Sequence, residues 1–378
     1  MQLSVLQDNL AKGLSIVSRA VPPRSTLPVL SHILTATDQS RLKLSATNLE
    51  IGITCWIGAK VDEDGATTVP ARTFVDLINA LPHGQVDMNL QMKTQTLNVT
   101  GGRFTNNIKG VDAQEFPLIP QPDEDHAIHI TPDVLRQMIE QVVFAAATDE
   151  SRPILTGVLA RFSGRTLTLA AADGFRLSVR TAPLEDSVAE PLEVVIPARA
   201  LAELGRIVGE QTDPISITVT PQRNQILFHL TNIDLVSQLI DGKFPPYEAI
   251  VPKSVTTKAV IDTALMLKAC KAANVFAREA ANIARLTIVP GDELTPGHVT
   301  IGATSAETGD NAGDLDANIT GNPIEIAFNV KYLIDVLSVV DSNLITLETS
   351  TASSPGVIHP IGDDTFTHVI MPMHVGGR

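Results

Sequence analysis

The chain repeats itself three times at domain scale, and this repetition limits the possible folds more than any single motif does. An alternating apolar pattern marks a strand with one buried face. It occurs at Leu42, Leu44 and Ala46, again at Leu167, Leu169 and Ala171, and again at Val299, Ile301 and Ala303, at spacings of 125 and 132 residues. A second signal follows each copy, a strand running into a helix: Val69-Pro70-Ala71-Arg72, Ile196-Pro197-Ala198-Arg199 and Phe328-Asn329-Val330-Lys331, spaced by 127 and 132. Behind it stand apolar residues at helical spacing: Phe74, Leu77, Ile78 and Leu81, then Leu201, Leu204 and Val208, then Leu333, Val336, Leu337 and Val340. Each set forms one stripe that packs on a sheet. Phe116-Pro117 recurs as Phe244-Pro245 at a spacing of 128. Three signals in one order at nearly one spacing describe three homologous domains of roughly 125 residues, an ordinary domain size.

Each copy also opens with an amphipathic helix, at about 7–22, 132–148 and 262–279. Pro132 suits the first helical turn, and Thr131 before it suits the N-cap. The rest reads as short alternating strands bounded by Gly, Asn, Asp and Pro. The fold class is α+β: three homologous domains, each two helices packed on antiparallel sheets. Their spans are 1–122, 127–250 and 252–378, with Pro-rich linkers over 116–123 and 244–252.

Composition narrows the function. Aromatics make up only 4% of the chain, so the cores rest on Leu, Ile, Val and Ala. Apolar runs such as 141–148 fall short of the roughly 20 residues a membrane helix needs. The start lacks the basic and apolar regions of a signal peptide, which places the expected site of action in the cytoplasm, with no membrane partner. Cys55 and Cys270 fall in different domains without a CxxC or Cys/His cluster, as two buried thiols in a reducing compartment would. No G-x-x-x-x-G-K-[ST] string exists for nucleotide hydrolysis. His126 and His129 read as a solvated linker pair rather than a metal site. Asp173-Gly174 and Gly101-Gly102 read as hairpin turns. No catalytic residue, metal or cofactor is assigned. The net charge of −14 argues against nucleic-acid binding unless the charge is segregated.

Five strings in order within this threefold repeat make the chain resemble a known family. They are Arg24–Leu30 (RSTLPVL), Val69–Arg72 (VPAR), Ala172–Leu177 (ADGFRL), Leu239–Tyr247 (LIDGKFPPY) and Val369–Met373 (VIMPM). Over essentially its whole length the chain is similar to the beta subunits of bacterial DNA polymerase III, the beta sliding clamps. The resemblance implies a head-to-tail homodimer: a ring of six domains, with helices lining a hole that holds double-stranded DNA without sequence specificity. Such a protein is a processivity factor without its own active site. A separate clamp-loader ATPase opens it, and the replicative polymerase and other partners dock through short motifs. A duplicated clamp serving drug resistance or a mobile element, and a repeat-built enzyme on the same scaffold, stay open as alternatives.

That architecture requires the helices to escape the acidity of the chain. The segments 7–22, 71–82, 132–148, 198–210, 262–279 and 329–341 hold ten Lys/Arg and ten Asp/Glu, leaving eighteen basic and thirty-two acidic residues elsewhere. The whole negative charge therefore lies outside the helices. The resemblance makes Lys12, Arg19, Arg72, Arg136, Arg199, Arg206, Lys268 and Lys271 DNA-contact candidates, with Arg24 and Arg152 outside the helices. Contacts of this kind hold phosphates and read no bases. The scarcity of aromatics disfavours single-strand capture by stacking.

The resemblance also implies a partner-peptide cleft of Leu155, Ala172, Gly174, Phe175, Arg176, Leu177, Pro245, Ile250, Val369, Met371, Pro372 and Met373, with Asn329 and Tyr332 at its rim. Such a set suits bulky apolar side chains, with adaptable Met among branched walls. The sequence departs from the family where Phe175 replaces a common His and Ala249 a common Arg. It departs again where His374-Val375 and then Gly376-Gly377-Arg378 follow the MPM string. The dimer interface implied by the resemblance pairs Val275 and Phe276 with Phe104 and Ile108 of the other subunit.

Overall fold

The structure is a computed structural model that describes residues 1–25, 27–121, 127–209, 211–279 and 281–374. His126 of the histidine pair, Pro122 and Asp123 of the first linker, and Val375 to Arg378 lie outside the described residues. Among the described residues, six α-helices stand on the apolar stripes: α1 Gln7–Val17, α2 Ala71–Ala80, α3 Pro132–Val142, α4 Ala198–Val208, α5 Thr263–Ala277 and α6 Val330–Leu337, with α1 and α3 ending in short 3-10 turns, Ser18–Ala20 and Val143–Ala145, before the expected limits of 22 and 148. Local chemistry starts several of them. Pro132 occupies the first position of α3, where a missing N–H costs nothing. Asp262 caps α5 by accepting from the Leu265 N–H at 2.8 Å, and Asn329 caps α6 by accepting from the Lys331 N–H at 3.0 Å.

The three alternating patterns fall on the strands Arg41–Thr47, Gly157–Ala172 and His298–Ser305, and each of their apolar residues is buried. The few aromatics are concentrated at the centres: Phe74, Phe162, Phe228, Phe328 and Phe366 are fully buried. Gly102 sits at φ 60° and closes the hairpin in which Gly101 pairs with Phe104. Cys55 and Cys270 are free and buried, and burial pushes their thiols up to about 11 and about 12. Neither is a nucleophile at neutral pH.

Strand pairing joins the repeats. The chain divides into two compact units, one of 1–133, 184–186 and 199–239, the other of 134–183, 187–198 and 240–378. The first unit holds a five-stranded and an eight-stranded antiparallel sheet; the second holds a seven-stranded and a four-stranded one. Within the first, Ile51–Gly58 of repeat one pairs with Ile233–Gln238 of repeat two, Ile53 opposite Leu235. Within the second, Arg176–Pro197 of repeat two pairs with Phe366–Ile370 of repeat three, Leu177 opposite Val369. Repeat boundaries are therefore not boundaries of compactness, because the eight-stranded and seven-stranded sheets each continue from one repeat into the next.

His368 lies on the second of these joints with no exposed surface. Its Nδ1 is 2.6 Å from the Ser178 hydroxyl, and the Phe144 ring packs 5.5 Å away. Burial, then the nearby Arg176 cation, pulls its pKa down to about 3 from an unfolded value of 6.5. The folded protein keeps it neutral while the unfolded chain takes up the proton. Its contribution is complete above pH 6.5 and shrinks as pH falls toward 3, by at most about 1.4 kcal/mol per pH unit. His368→Gln, which keeps a hydrogen-bonding side chain without the titration, should lose less urea stability than the parent between pH 7 and pH 5. Equal losses in the two proteins would contradict this reading.

Candidate partner cleft and nucleic-acid interface

The cleft begins at a three-residue turn. Strands Gly157–Ala172 and Arg176–Pro197 run antiparallel, and Asp173 organises the reversal between them. Its carboxylate accepts from the N–H groups of Phe175 (2.8 Å) and Arg176 (3.0 Å) and from Arg176 Nε (3.0 Å). Gly174 follows at φ +93°, which disfavours any side chain. A Cβ there would also come within 3.0 Å of Arg152 Nη1. Arg152 lies over the turn, its Nη2 donating to the Asp173 carbonyl at 3.1 Å.

The opposite wall comes from the chain's end. Strand Phe366–Ile370 pairs along Arg176–Arg180, and the Met371 N–H extends the ladder to the Phe175 carbonyl at 2.8 Å. Between these elements lies a cavity of about 230 Å³ lined by Ala172, Gly174, Arg176, Leu177, Ile250, Val369 and Met371. Its floor is core: Ala172, Leu177 and Val369 are buried in one cluster with Leu155, Phe244 and Tyr247. Its lips are open, with Met371 38%, Ile250 40% and Phe175 56% exposed. An apolar pocket already formed and wet only at its lips can bury one Leu- or Phe-sized side chain, worth roughly 1.5–3 kcal/mol.

Arg176 is not a free cation in this cleft. It bonds Asp173, and its Nη1 lies 2.5 Å from Asp335. Its guanidinium stacks 4.3 Å from the Tyr332 ring centroid and 5.3 Å from that of Phe144. Burial, then Asp173, pushes the Tyr332 phenol up. Arg176 thus offers its carbon stem and a neutralised face to the cavity.

The structure places the remaining expected cleft residues less uniformly. Leu155 lies beneath the floor and Phe175 beside the mouth. Pro245 is exposed, Pro372 is half-buried, and Asn329 is engaged as the α6 cap. Met373 donates its N–H to Ala327 at 2.7 Å and lines a separate depression with Arg285, Glu325 and His374. Ala249 ends an exposed turn next to Ile250. Arg152, expected as a DNA contact, lies over the Asp173-Gly174 turn beside the cleft. Its closeness in sequence to Leu155 was a signal available for that position.

The other cations separate by partner. Arg19 and Arg206 share Glu203 at 3.2 and 2.6 Å, and Arg72 faces Asp76 at 3.8 Å. Lys12, Arg24, Arg199, Lys268 and Lys271 are exposed without an ion pair among the described residues, and Arg136 is exposed on α3. His129 is engaged with Asp186 at 2.5 Å, and no metal-holding group of His, Cys, Asp and Glu is found among the described residues. Among the described residues, no helix is long and apolar enough to cross a membrane.

At the expected interface, Phe104 and Val275 are about half exposed. Ile108 is only 4% exposed and pairs with Leu97 in its own sheet, so Phe104 presents the larger apolar surface of that strand. Phe276 is half-buried and packs against the third repeat's core.

Three α+β repeats sharing antiparallel sheets, with an apolar cleft at the second joint, define a protein of the clamp type. The chain belongs to the DNA polymerase III beta subunit family. Family profiles for its N-terminal, central and C-terminal domains match residues 1–120, 129–246 and 248–374. It is 34% identical to the beta sliding clamp of Staphylococcus aureus strain Mu50 and 32% to that of Staphylococcus epidermidis, each over 99% of both chains. The solved Bacillus subtilis sliding clamp superposes with a TM-score of 0.93 at 29% identity, covering all of both chains. The Pseudomonas aeruginosa beta subunit gives 0.91 at 28%, covering 99% and 100%. The protein is thus a DNA sliding clamp of replication, and the family is non-catalytic, which removes the repeat-built enzyme as an alternative.

Met371→Ala trims a lip that is 38% exposed, so the fold should survive. Affinity for a short apolar peptide should drop about tenfold in a fluorescence-polarisation titration. An unchanged affinity would move the partner site elsewhere.

Proposed function

We propose that two copies close head to tail around duplex DNA and carry the clamp-loader ATPase, the replicative polymerase and other motif-bearing partners through the Met371 cleft, in the cytoplasm. The domains that do this are assigned to 1–122, 127–250 and 252–378. One observation carries the ring. Each internal joint pairs the strand after the alternating strand of one repeat with the last strand of the next: Ile51–Gly58 with Ile233–Gln238, and Arg176–Pro197 with Phe366–Ile370. The equivalent strands left over are Gly309–Asp316 in repeat three and Phe104–Lys109 in repeat one, and both are sheet edges. A third joint of the same kind between two subunits satisfies both edges and is heterologous, closing after two copies.

The charges of the two edges agree with that pairing. Arg103 and Lys109 flank one, while Asp310, Asp314 and Asp316 lie along the other. Phe104 and Val275 supply exposed apolar surface. Inside the ring, the unpaired helix cations meet phosphates only weakly and with strong salt dependence. Retention then comes from topology and the contacts allow motion.

Light scattering tests the closure. The parent should run at twice 40.3 kDa. Phe104→Glu, which places a charge on an exposed position beside acidic Gly309–Asp316, should run as a folded particle of 40.3 kDa. A Phe104→Glu protein that stays dimeric would contradict this edge pairing.

A further inference from the structure

The cleft wall formed by Ile250 stands on weakly tethered chain. Segment 241–253 belongs to no strand, and its one helical turn is the short Tyr247–Ala249 element, closed by the Ile250 N–H on the Tyr247 carbonyl at 2.9 Å. Phe244 and Tyr247 are buried in the cleft-floor cluster, and Val251 packs against it. Among the described residues, the hydrogen bonds from this segment to the rest of the chain all go to one side chain, Arg161. A wall with so few backbone bonds belongs to the low-stability end of a structure unless something else fixes it.

Arg161 is placed to fix it. It projects from strand Gly157–Ala172, whose far end forms the cleft turn. Its Nε bonds Glu193 on the neighbouring strand at 2.5 Å, which orients the guanidinium. Its Nη1 reaches Glu248 at 2.8 Å and the Tyr247 hydroxyl at 3.4 Å, and its Cζ lies 5.6 Å from the Tyr247 ring centroid. A planar fork with five donors spread over three nitrogens can hold two carboxylates and a phenol at once; a lysine carries its three donors on one nitrogen and lacks the fixed fork that spans partners set this far apart. Tyr247 and Glu248 stand just before Ala249 and Ile250, so fixing the first pair sets where the Ile250 side chain meets Met371 and Val369 across the cavity.

We propose that Arg161 is a positioning residue for partner binding: it straps the 241–253 segment to the sheet and so sets the width of the cleft without touching the peptide. This rests on the reading of the Met371 cavity as the partner cleft. Its signature is electrostatic control over a ligand that carries no charge. The cluster is partly open to solvent, with Arg161 32%, Glu193 50% and Glu248 55% exposed, so salt screens it. A neutral peptide should then bind more weakly at high salt, against the usual strengthening of apolar burial by salt.

The test uses the full-length protein and an acetylated, amidated pentapeptide of neutral residues carrying two leucines and a phenylalanine, titrated at 50 and 500 mM NaCl. Arg161→Met should weaken binding about tenfold and abolish the salt dependence, and Arg161→Lys should fall between it and the parent. Glu248→Gln, at a half-exposed site where misfolding is no concern, should weaken binding about threefold. Hydrogen exchange of the Ile250 amide should accelerate in all three variants while the dimer persists. If Met371→Ala loses the peptide and the Arg161 and Glu248 variants bind like the parent, the strap is wrong and the cleft stands. If Met371→Ala also binds like the parent, the cleft reading falls and the strap with it.

Discussion

A strand edge must be paired, covered or charged, and this requirement organises the molecule. Ile51–Gly58 finds its partner in the next repeat, and so does Arg176–Pro197. Both joints are backbone ladders between strands whose buried faces continue one another, as Leu177 opposite Val369 shows. The cleft is a by-product of the second joint. Val369 reaches the floor because its strand pairs along Arg176–Arg180, and Met371 becomes a lip because its N–H takes the next rung, on the Phe175 carbonyl. The same geometry that extends the sheet therefore builds the apolar pocket.

Charge follows a different logic from binding strength. A net charge of −14 works against a tight grip on duplex DNA. Two of the helix arginines, Arg19 and Arg206, are spent on Glu203, and a third faces Asp76. The exposed Lys12, Arg199, Lys268 and Lys271 suit contacts that form and break as the duplex moves. A lasting hold on DNA then has to come from closure of the chain around it. On the proposed edge pairing, the sheet constraint would govern retention more than the cations do.

The sequence exposes whatever repeats with a period. The apolar stripes of the six helices, the alternations at Leu42, Leu167 and Val299, and the turns at Gly102 and Gly174 are local signals, and each stands where its period puts it. The core of the cleft was reachable through the ADGFRL and VIMPM strings. Other features were hidden because they depend on contacts between distant segments. Arg152 reads as a free cation until the Asp173 turn is seen beneath it. Arg176 reads as a binding charge until Asp335 and Tyr332 enclose it. Ile108 and Phe104 share a strand face, yet the core ends between them, so one is buried and the other exposed. Met373 follows Met371 by two residues but is drawn to Ala327 instead of the cavity.

The central claim is that the protein holds DNA by enclosing it and not by gripping it. The most direct measurement loads the clamp on a nicked circular duplex, separates bound from free protein by gel filtration, and cuts the circle once. Enclosure predicts that clamp stays on the intact circle and runs off the linear product within the time of the column, at a salt concentration where free clamp shows no binding. Equal retention on circular and linear DNA would contradict it.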